Sequence, residues 1–456
     1  MTVRVVSAPW VLTGRPAGVR QAHPERTEGS ARAEPAEGRA AAIRDGAVAL
    51  DGDVIVAVGP RAEVEARHGR SGRREGVILP ALVNAHLHLE LSFMAGAVAG
   101  GDGLPAWIDL FISARARART QDPGPAMTMA AEDLVRFGVA AVGDISNTLA
   151  SLGPLAQAGM AGTIFHEVFG PTPRRFAEAL DAAKVMRALA PEPPPGLRIV
   201  TSPHAIYSTP HPNLVELLRG GPGSIHLAED PAERSFVSTG TGGFGHLVAR
   251  MGGRARDLVP KGRSAVAVVV PHLRAHHLAV HCVDLDEDDL ALLRGSGATV
   301  VLCPRSNGFI SGRLPRLDLL LEAGIPLAIG TDSLASAPSL APLADVATLR
   351  RGFPAVPASR ILPLAWNGPA VGAPHVGTLA PGLAPGVLAA PARGSRIEDP
   401  FELVIAFGAE ERPFEWLARQ RPPAEAPHPP PARGGRPASP LPSSPAEAGG
   451  EGETSA

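Results

Sequence analysis

The chain has 456 residues, with 45 acidic side chains against 43 basic ones and a formal net charge of −2. So even a balance gives no basic field for nucleic acid, and no apolar run approaches the roughly 18 residues that cross a bilayer. The two cysteines, Cys282 and Cys303, make neither a C-x-x-C pair nor a disulfide framework. The N-terminal MTVRVVSAPWVLTGRP lacks the apolar stretch and small-residue cleavage site of a signal peptide, so a reduced, cytoplasmic protein is expected.

In chain order, residues 15–42 are rich in Gly, Ala, Arg, Glu and Pro without apolar periodicity and predict a flexible surface insertion. AIRDGAVALDGDVIVAVGP (42–60) predicts two short strands around an Asp-Gly turn. Apolar, β-branched runs follow at 77–85, 139–145, 160–168, 197–203, 223–228, 277–282, 298–303 and 326–331. Segments of helical spacing separate most of them, such as RRFAEALDAAKVMRALA and DEDDLALLRGSG.

Eight strands alternating with helices predict an α/β protein with a (β/α)8 TIM barrel over residues 61–374. A doubly wound sheet would need a Gly-rich phosphate turn after an early strand, and none is present. VGTLAPGLAPGVLAA (376–390) adds a further β pattern. Residues 1–60 and 375–420 are therefore expected to form one small β-sandwich domain built from both termini. The Pro-, Ala- and Gly-rich tail at 421–456 has almost no large apolar residues and is expected to be disordered.

Barrel active sites are built from the C-terminal ends of the strands. The sequence places ionisable groups there at six strands of the eight: His86 and His88, His166 and Glu167, His204, His226 and Glu229, His281, and Asp332. In NAHLHLELS, strand alternation predicts His86, His88 and Glu90 on one face. His86, His88, His226 and Asp332 give three imidazoles and a carboxylate, a set suited to one divalent ion, Zn²⁺ first and Fe²⁺ as alternative. Such an ion lowers the pKa of a bound water towards about 7. Glu229 lies close enough to His226 in the chain to shuttle a proton, and His281 could hydrogen-bond the attacking oxygen. The H-x-E and P-C-x-x-C signature of zinc cytidine deaminases is absent, which excludes that fold.

NAHLH, HLAE, HC and GTDS, with β segments at both termini, resemble the amidohydrolase superfamily over about residues 42–415. Binuclear members carry a carboxylated lysine at the end of strand four, where this chain has His204. Lys184 and Lys261, its only lysines, are predicted mid-helix and in a loop. The resemblance is therefore to the mononuclear deaminase branch. HLHLELS, SPHAIYSTP, HLAEDPAE, VLCPRSN and GTDSLAS are similar to aminodeoxyfutalosine deaminases of menaquinone biosynthesis, which act on an adenine compound bearing a benzoate arm. That resemblance implies metal binding by His86, His88, His226 and Asp332, catalysis by Glu229, His281 and Asp332, and substrate contacts at His204 and Glu90. Arg305 is a further candidate for the benzoate carboxylate. Where many superfamily members close the β-domain with Ala-Asp-Leu, this chain has APGVLAAPA.

The expected function is hydrolytic deamination of a small purine compound, with no nucleic-acid or membrane partner and a homodimer allowed for. Deamination of S-adenosylhomocysteine, methylthioadenosine, adenosine or guanine, or hydrolysis of a cyclic amide, is the alternative within the same chemistry. A non-catalytic barrel that only binds is the alternative from another class, and the full set of ionisable groups argues against it.

Overall fold

A computed structural model describes residues 3–14, 41–392 and 397–421. Residues 15–40 of the expected insertion and 422–456 of the expected tail lie outside the described residues. Strands are numbered along the chain: β1 (Arg4–Leu12), β2 (Ala42–Asp51), β3 (Val54–Pro60), β4 (Gly72–Arg73), β5 (Val77–Pro80), β6 (Leu82–Leu87), β7 (Val139–Ser146) and β8 (Ala161–Val168). They continue with β9 (Leu197–Pro203), β10 (Gly223–Leu227), β11 (His277–His281), β12 (Thr299–Leu302), β13 (Leu327–Ile329), β14 (Pro385–Ala390) and β15 (Glu415–Gln420).

β6 to β13 form the TIM-type barrel. They pair in parallel as two runs, β6-β7-β8-β9 and β10-β11-β12-β13. β7 (VAAVGDIS) and β8 (AGTIFHEV) are buried at every residue, which is why these segments read as continuous apolar runs rather than alternating ones. Short backbone contacts close both seams. His226 N donates to His204 O at 2.9 Å across β9 and β10, and Thr331 N and Asp332 N donate to His86 O at 2.9 and 3.0 Å across β13 and β6. The residues that close the barrel are thus the ones expected to carry its chemistry.

The apolar run 77–85 is two strands. Pro80 lacks an N–H, and the chain leaves one sheet there: Ala81 N donates to Gly386 O in the terminal sheet, Leu82 N to Gly138 O in the barrel. β5 joins the seven-stranded sheet β15-β14-β5-β1-β2-β3, with β4 also on β1. The sheet curls over an apolar core that includes Val6, Val11, Leu50, Ile55, Ile78 and Val387. Asp53 at the β2–β3 turn meets Arg421, beyond the end of β15, at 2.6 Å. Among the described residues, the strands expected from both termini pair in one seven-stranded sheet. Among the described residues no helix is long and apolar enough to cross a membrane.

Candidate active site

His86 ends up wholly buried in β6, and the strand stops at Leu87. His88 caps a 3₁₀ turn over Leu89–Met94, with φ −124° and ψ 82°. Strand alternation therefore does not reach Glu90. Instead of facing a ligand, its carboxylate is enclosed by the loop after β7. It accepts from Asn147 N at 2.9 Å, Thr148 Oγ1 at 2.7 Å and Ala150 N at 3.1 Å, and also from Ser146 Oγ. The expected substrate contact at Glu90 is corrected to a loop anchor: a short turn, not a strand, sets its direction.

The other strand ends converge. His88 Nε2 lies 3.4 Å from Asp332 Oδ1 and 3.4 Å from His226 Nε2, and His86 Nε2 is 3.9 Å from Asp332 Oδ1. His281 Nε2 sits 3.4 Å from Glu229 Oε2. His204 packs against His226 with ring centroids 4.8 Å apart. Strain accompanies this convergence: Ala228, His281, Cys282 and Asp332 have φ of 52°, 76°, 49° and 61°, in the left-handed region that non-glycine residues avoid. Gly330 is needed for a different reason, since a Cβ there would come within 2.8 Å of His86 Cβ and 2.9 Å of Cys303 Sγ.

A supporting layer holds these groups in place. Asp332 Oδ2 accepts from Ser306 Oγ at 2.6 Å and Ser336 Oγ at 3.0 Å. Asn307 Nδ2 lies 3.1 Å from His281 Nδ1; with Nδ2 donating, His281 carries its proton on Nε2, towards Glu229. Glu233 accepts from the backbone of Ala228 and Glu229 at 3.0 and 2.8 Å, fixing the turn that presents Glu229. Sequence reasoning assigned no role to Ser306, Asn307, Ser336 or Glu233. The available signal was a run of short polar residues within a few positions of a strand end. Glu167, seen at its strand end but given no role, lines the same cavity with Oε1 3.6 Å from His226 Nδ1.

Arg305 is not in the cavity. Its guanidinium is held by Asp345 at 2.8 Å, Glu411 at 3.1 Å and the carbonyl oxygens of Ser339 and Ala341. With its donors engaged by the helix Pro342–Gly352 and the segment before it, it is a structural ion pair. The expected carboxylate contact at Arg305 is corrected accordingly.

Burial dominates the electrostatics. It pushes His88 and His281 down to about 3 and His204 to about 4, holds His226 below its usual value and His86 well below it, so these imidazoles are neutral. Burial also lifts Glu229 well above the carboxylate range, reinforced by the charges of Asp332, Glu233 and Asp230. For Asp332 burial acts upward, but His88, His281 and the Ser306 hydroxyl outweigh it and hold the carboxyl below its usual value.

Neutral imidazoles beside an ionised carboxylate are the protonation states a divalent ion requires. Both ring nitrogens of His86 and Nε2 of His281 are buried without a hydrogen-bond partner among the described residues. His226 Nδ1 faces His204 O at 3.2 Å, leaving Nε2 directed at His88. Zn–N bonds of about 2.1 Å at tetrahedral angles separate ligand atoms by roughly 3.4 Å, which agrees with the His88–His226 and His88–Asp332 spacings. The ligand atoms of His86, His88 and His226 lie within 4.8 Å of one another, as do those of Glu229, His281 and Asp332, so the cluster could hold a divalent metal ion.

His88, His226, Glu229, His281 and Asp332 form the floor of a cavity of about 540 Å³ with largely apolar walls, including Trp107, Phe111, Phe169, Tyr207 and Leu247. Floor, wall and mouth suit a small molecule with a polar reacting end and an apolar body.

The chain is similar to several known proteins. An aminodeoxyfutalosine deaminase of Deinococcus radiodurans is 31% identical over 345 residues, 70% of this chain and 78% of the relative. A 5-methylthioadenosine/S-adenosylhomocysteine deaminase of Nitratidesulfovibrio vulgaris is 28% identical over 75% of this chain and 78% of its own. Among solved structures, Helicobacter pylori aminofutalosine deaminase in complex with methylthio-coformycin superposes with a TM-score of 0.74 at 19% identity, over 90% of this chain and 97% of that one. An adenosine deaminase from Xanthomonas campestris with bound zinc gives 0.69 at 20% identity, over 92% and 94%. The model of the amidohydrolase family matches residues 77–384. The chain belongs to the amidohydrolase family and is a hydrolase acting on C–N bonds.

Proposed function

We propose that this protein is a metal-dependent deaminase of an adenine nucleoside, with aminodeoxyfutalosine as its substrate and zinc as its metal. The observation that carries the reading is the pairing of Glu229 with His281, 3.4 Å apart beside the imidazole and carboxylate cluster, on the floor of an apolar cavity. In this reading His86, His88, His226 and Asp332 hold the divalent ion. When bound, that ion supplies the Lewis acidity that makes water a competent nucleophile at neutral pH.

The protein's own groups carry the rest. Glu229 takes a proton from the attacking water and passes one to the purine ring nitrogen next to C6. Its buried setting raises the proton affinity of its carboxylate, as a shuttle that must accept a proton and hold it between two transfers requires. His281 donates from Nε2 to the attacking oxygen, in the tautomer set by Asn307. C6 becomes tetrahedral, the amino nitrogen takes up the remaining proton of the added water, relayed by Glu229, and leaves as ammonia, and the ring becomes a 6-oxopurine. Water and the amine in, ammonia and the oxo product out, balances the step. In this reading His204, which lines the cavity edge-on to Tyr207 with centroids 5.6 Å apart, contacts the purine.

The named relatives act on different purine arms, which supports the choice of ring more strongly than the choice of arm. The test is incubation of the purified, metal-loaded protein with aminodeoxyfutalosine, methylthioadenosine, S-adenosylhomocysteine and adenosine. Ammonia release and loss of adenine absorbance are expected with the first as the best substrate. Turnover of none of the four overturns the reading.

A further inference from the structure

The cavity has a second, cationic end. One helix, Leu104–Arg117, supplies most of a wall, and its lining residues recur at helical spacing: Trp107, Ile108, Phe111, Ile112, Arg115 and then Arg119 just past its end. The N-terminal end is tied to the reacting floor, because Leu104 N donates to Asp230 Oδ2 at 3.1 Å and Asp230 follows Glu229 directly. From there the face runs outward through the stacked rings of Trp107 and Phe111, 5.3 Å apart at 18°. Ile112 and Phe169 remain 47% and 44% exposed at the mouth, an apolar rim.

Arg115 and Arg119 are the only Lys or Arg side chains lining the cavity among the described residues. Arg115 is half-buried and Arg119 exposed. Neither has an ion-pair or hydrogen-bond partner among the described residues, whereas Arg61, Arg234, Arg263 and Arg305 are all paired with carboxylates. Two like charges four residues apart repel one another. A cation at a helix C-terminus is favoured by the macrodipole, but the exposed Arg117, which does not line the cavity, meets that need. Leu104 and Arg115 are separated by roughly 16 Å of helix axis at about 1.5 Å per residue, farther than a bare nucleoside reaches.

We infer that Arg115 and Arg119 are specificity-determining residues that bind a carboxylate at the far end of the substrate, so that this cavity selects an adenine nucleoside whose arm is apolar along its length and anionic at its tip. The apolar strip desolvates the arm, and the guanidinium pair receives the carboxylate. This rests on the deaminase reading and deepens it. It sets apart the arm of methylthioadenosine, which ends in an uncharged methyl group, and that of S-adenosylhomocysteine, whose tip carries an ammonium beside its carboxylate.

The test compares metal-loaded wild type with the full chain carrying Arg115→Gln and Arg119→Gln together, using aminodeoxyfutalosine and methylthioadenosine as substrates. Thermal melting verifies that the variant is folded. In wild type, kcat/KM for the carboxylated substrate is expected to exceed that for the uncharged one. In the variant the ratio should fall roughly ten- to a hundredfold, through KM and not kcat. Raised salt should increase KM for the carboxylated substrate alone. An unchanged ratio in a folded variant, or a wild type preferring the uncharged substrate, overturns the arginine assignment and leaves the deaminase reading standing. Turnover of neither substrate by wild type overturns both.

Discussion

At the scale of single residues, the chemistry depends on which groups are kept neutral and which are kept charged. Glu229 is buried beside Asp332, Glu233 and Asp230, and this setting raises its affinity for a proton. Glu229→Gln keeps the size and removes the proton exchange, so kcat is expected to drop by about 10²–10⁴-fold while metal content stays at the wild-type level. Near wild-type turnover with metal bound would refute the shuttle role. Glu90 makes the opposite point. Its carboxylate accepts from Asn147 N, Thr148 N, Thr148 Oγ1 and Ala150 N, and Gln in its place would point an N–H at donors. Glu90→Gln is expected to cost on the order of 1–3 kcal/mol of stability, read as a lower Tm, with little change in KM for the purine. A large rise in KM at unchanged Tm would instead return Glu90 to the substrate.

At the scale of elements, the strand ends are held by buried polar groups whose protonation couples to stability. His277, the first residue of β11, accepts from Arg274 N at 2.8 Å and faces Leu218 O at 2.9 Å. Burial first, then neighbouring His276, push its pKa from 6.5 down to about 4. The unfolded chain therefore binds a proton in the window between these values that the folded chain does not. Its contribution to stability is complete above about 6.5 and is lost as pH falls towards 4, on the order of 2–3 kcal/mol in all. The His277→Gln variant is expected to lose less Tm than wild type between pH 7 and 4.5, whatever its Tm at pH 7. Parallel melting curves for the two proteins would show that His277 is not titrating in that window.

At the scale of the whole molecule, the site is also the seam of the barrel. His86 O accepts from Thr331 N and Asp332 N, and His204 O accepts from His226 N, so the strands meet where the imidazoles gather. An ion gripping His86, His88, His226 and Asp332 would tie β6, β10 and the end of β13 together across those seams. Prolonged chelation is therefore expected to abolish turnover and lower Tm, by about 4 kcal/mol of stability where free ion had stood near a thousand times Kd. Adding Zn²⁺ should restore both, and elemental analysis should find about one ion per chain. Full activity in protein shown to be metal-free would overturn the metal reading.

Much of this was legible without coordinates. Barrel strands buried on both faces must be apolar throughout, so eight runs, six of them followed by ionisable residues, point to both the fold and the candidate rim. His86, His88, His204, His226, Glu229, His281 and Asp332 could be named as candidates for that reason, and folding brings them close together. Local chain direction and long-range partners were not. Whether Glu90 follows strand alternation depends on where β6 stops, and its carboxylate is taken up by residues 146–150, some 56 residues later in the chain. Whether Arg305 faces a ligand depends on Asp345 and Glu411, brought to it by folding. Arg115 and Arg119 read as two among many scattered arginines until the helix Leu104–Arg117 was laid along the cavity, its start tied to Asp230. The sequence by itself determined which side chains could do the chemistry, because periodicity and residue type are local. Only the tertiary structure decided which of them face one another, because ion pairs, seams and cavity walls join residues far apart in the chain.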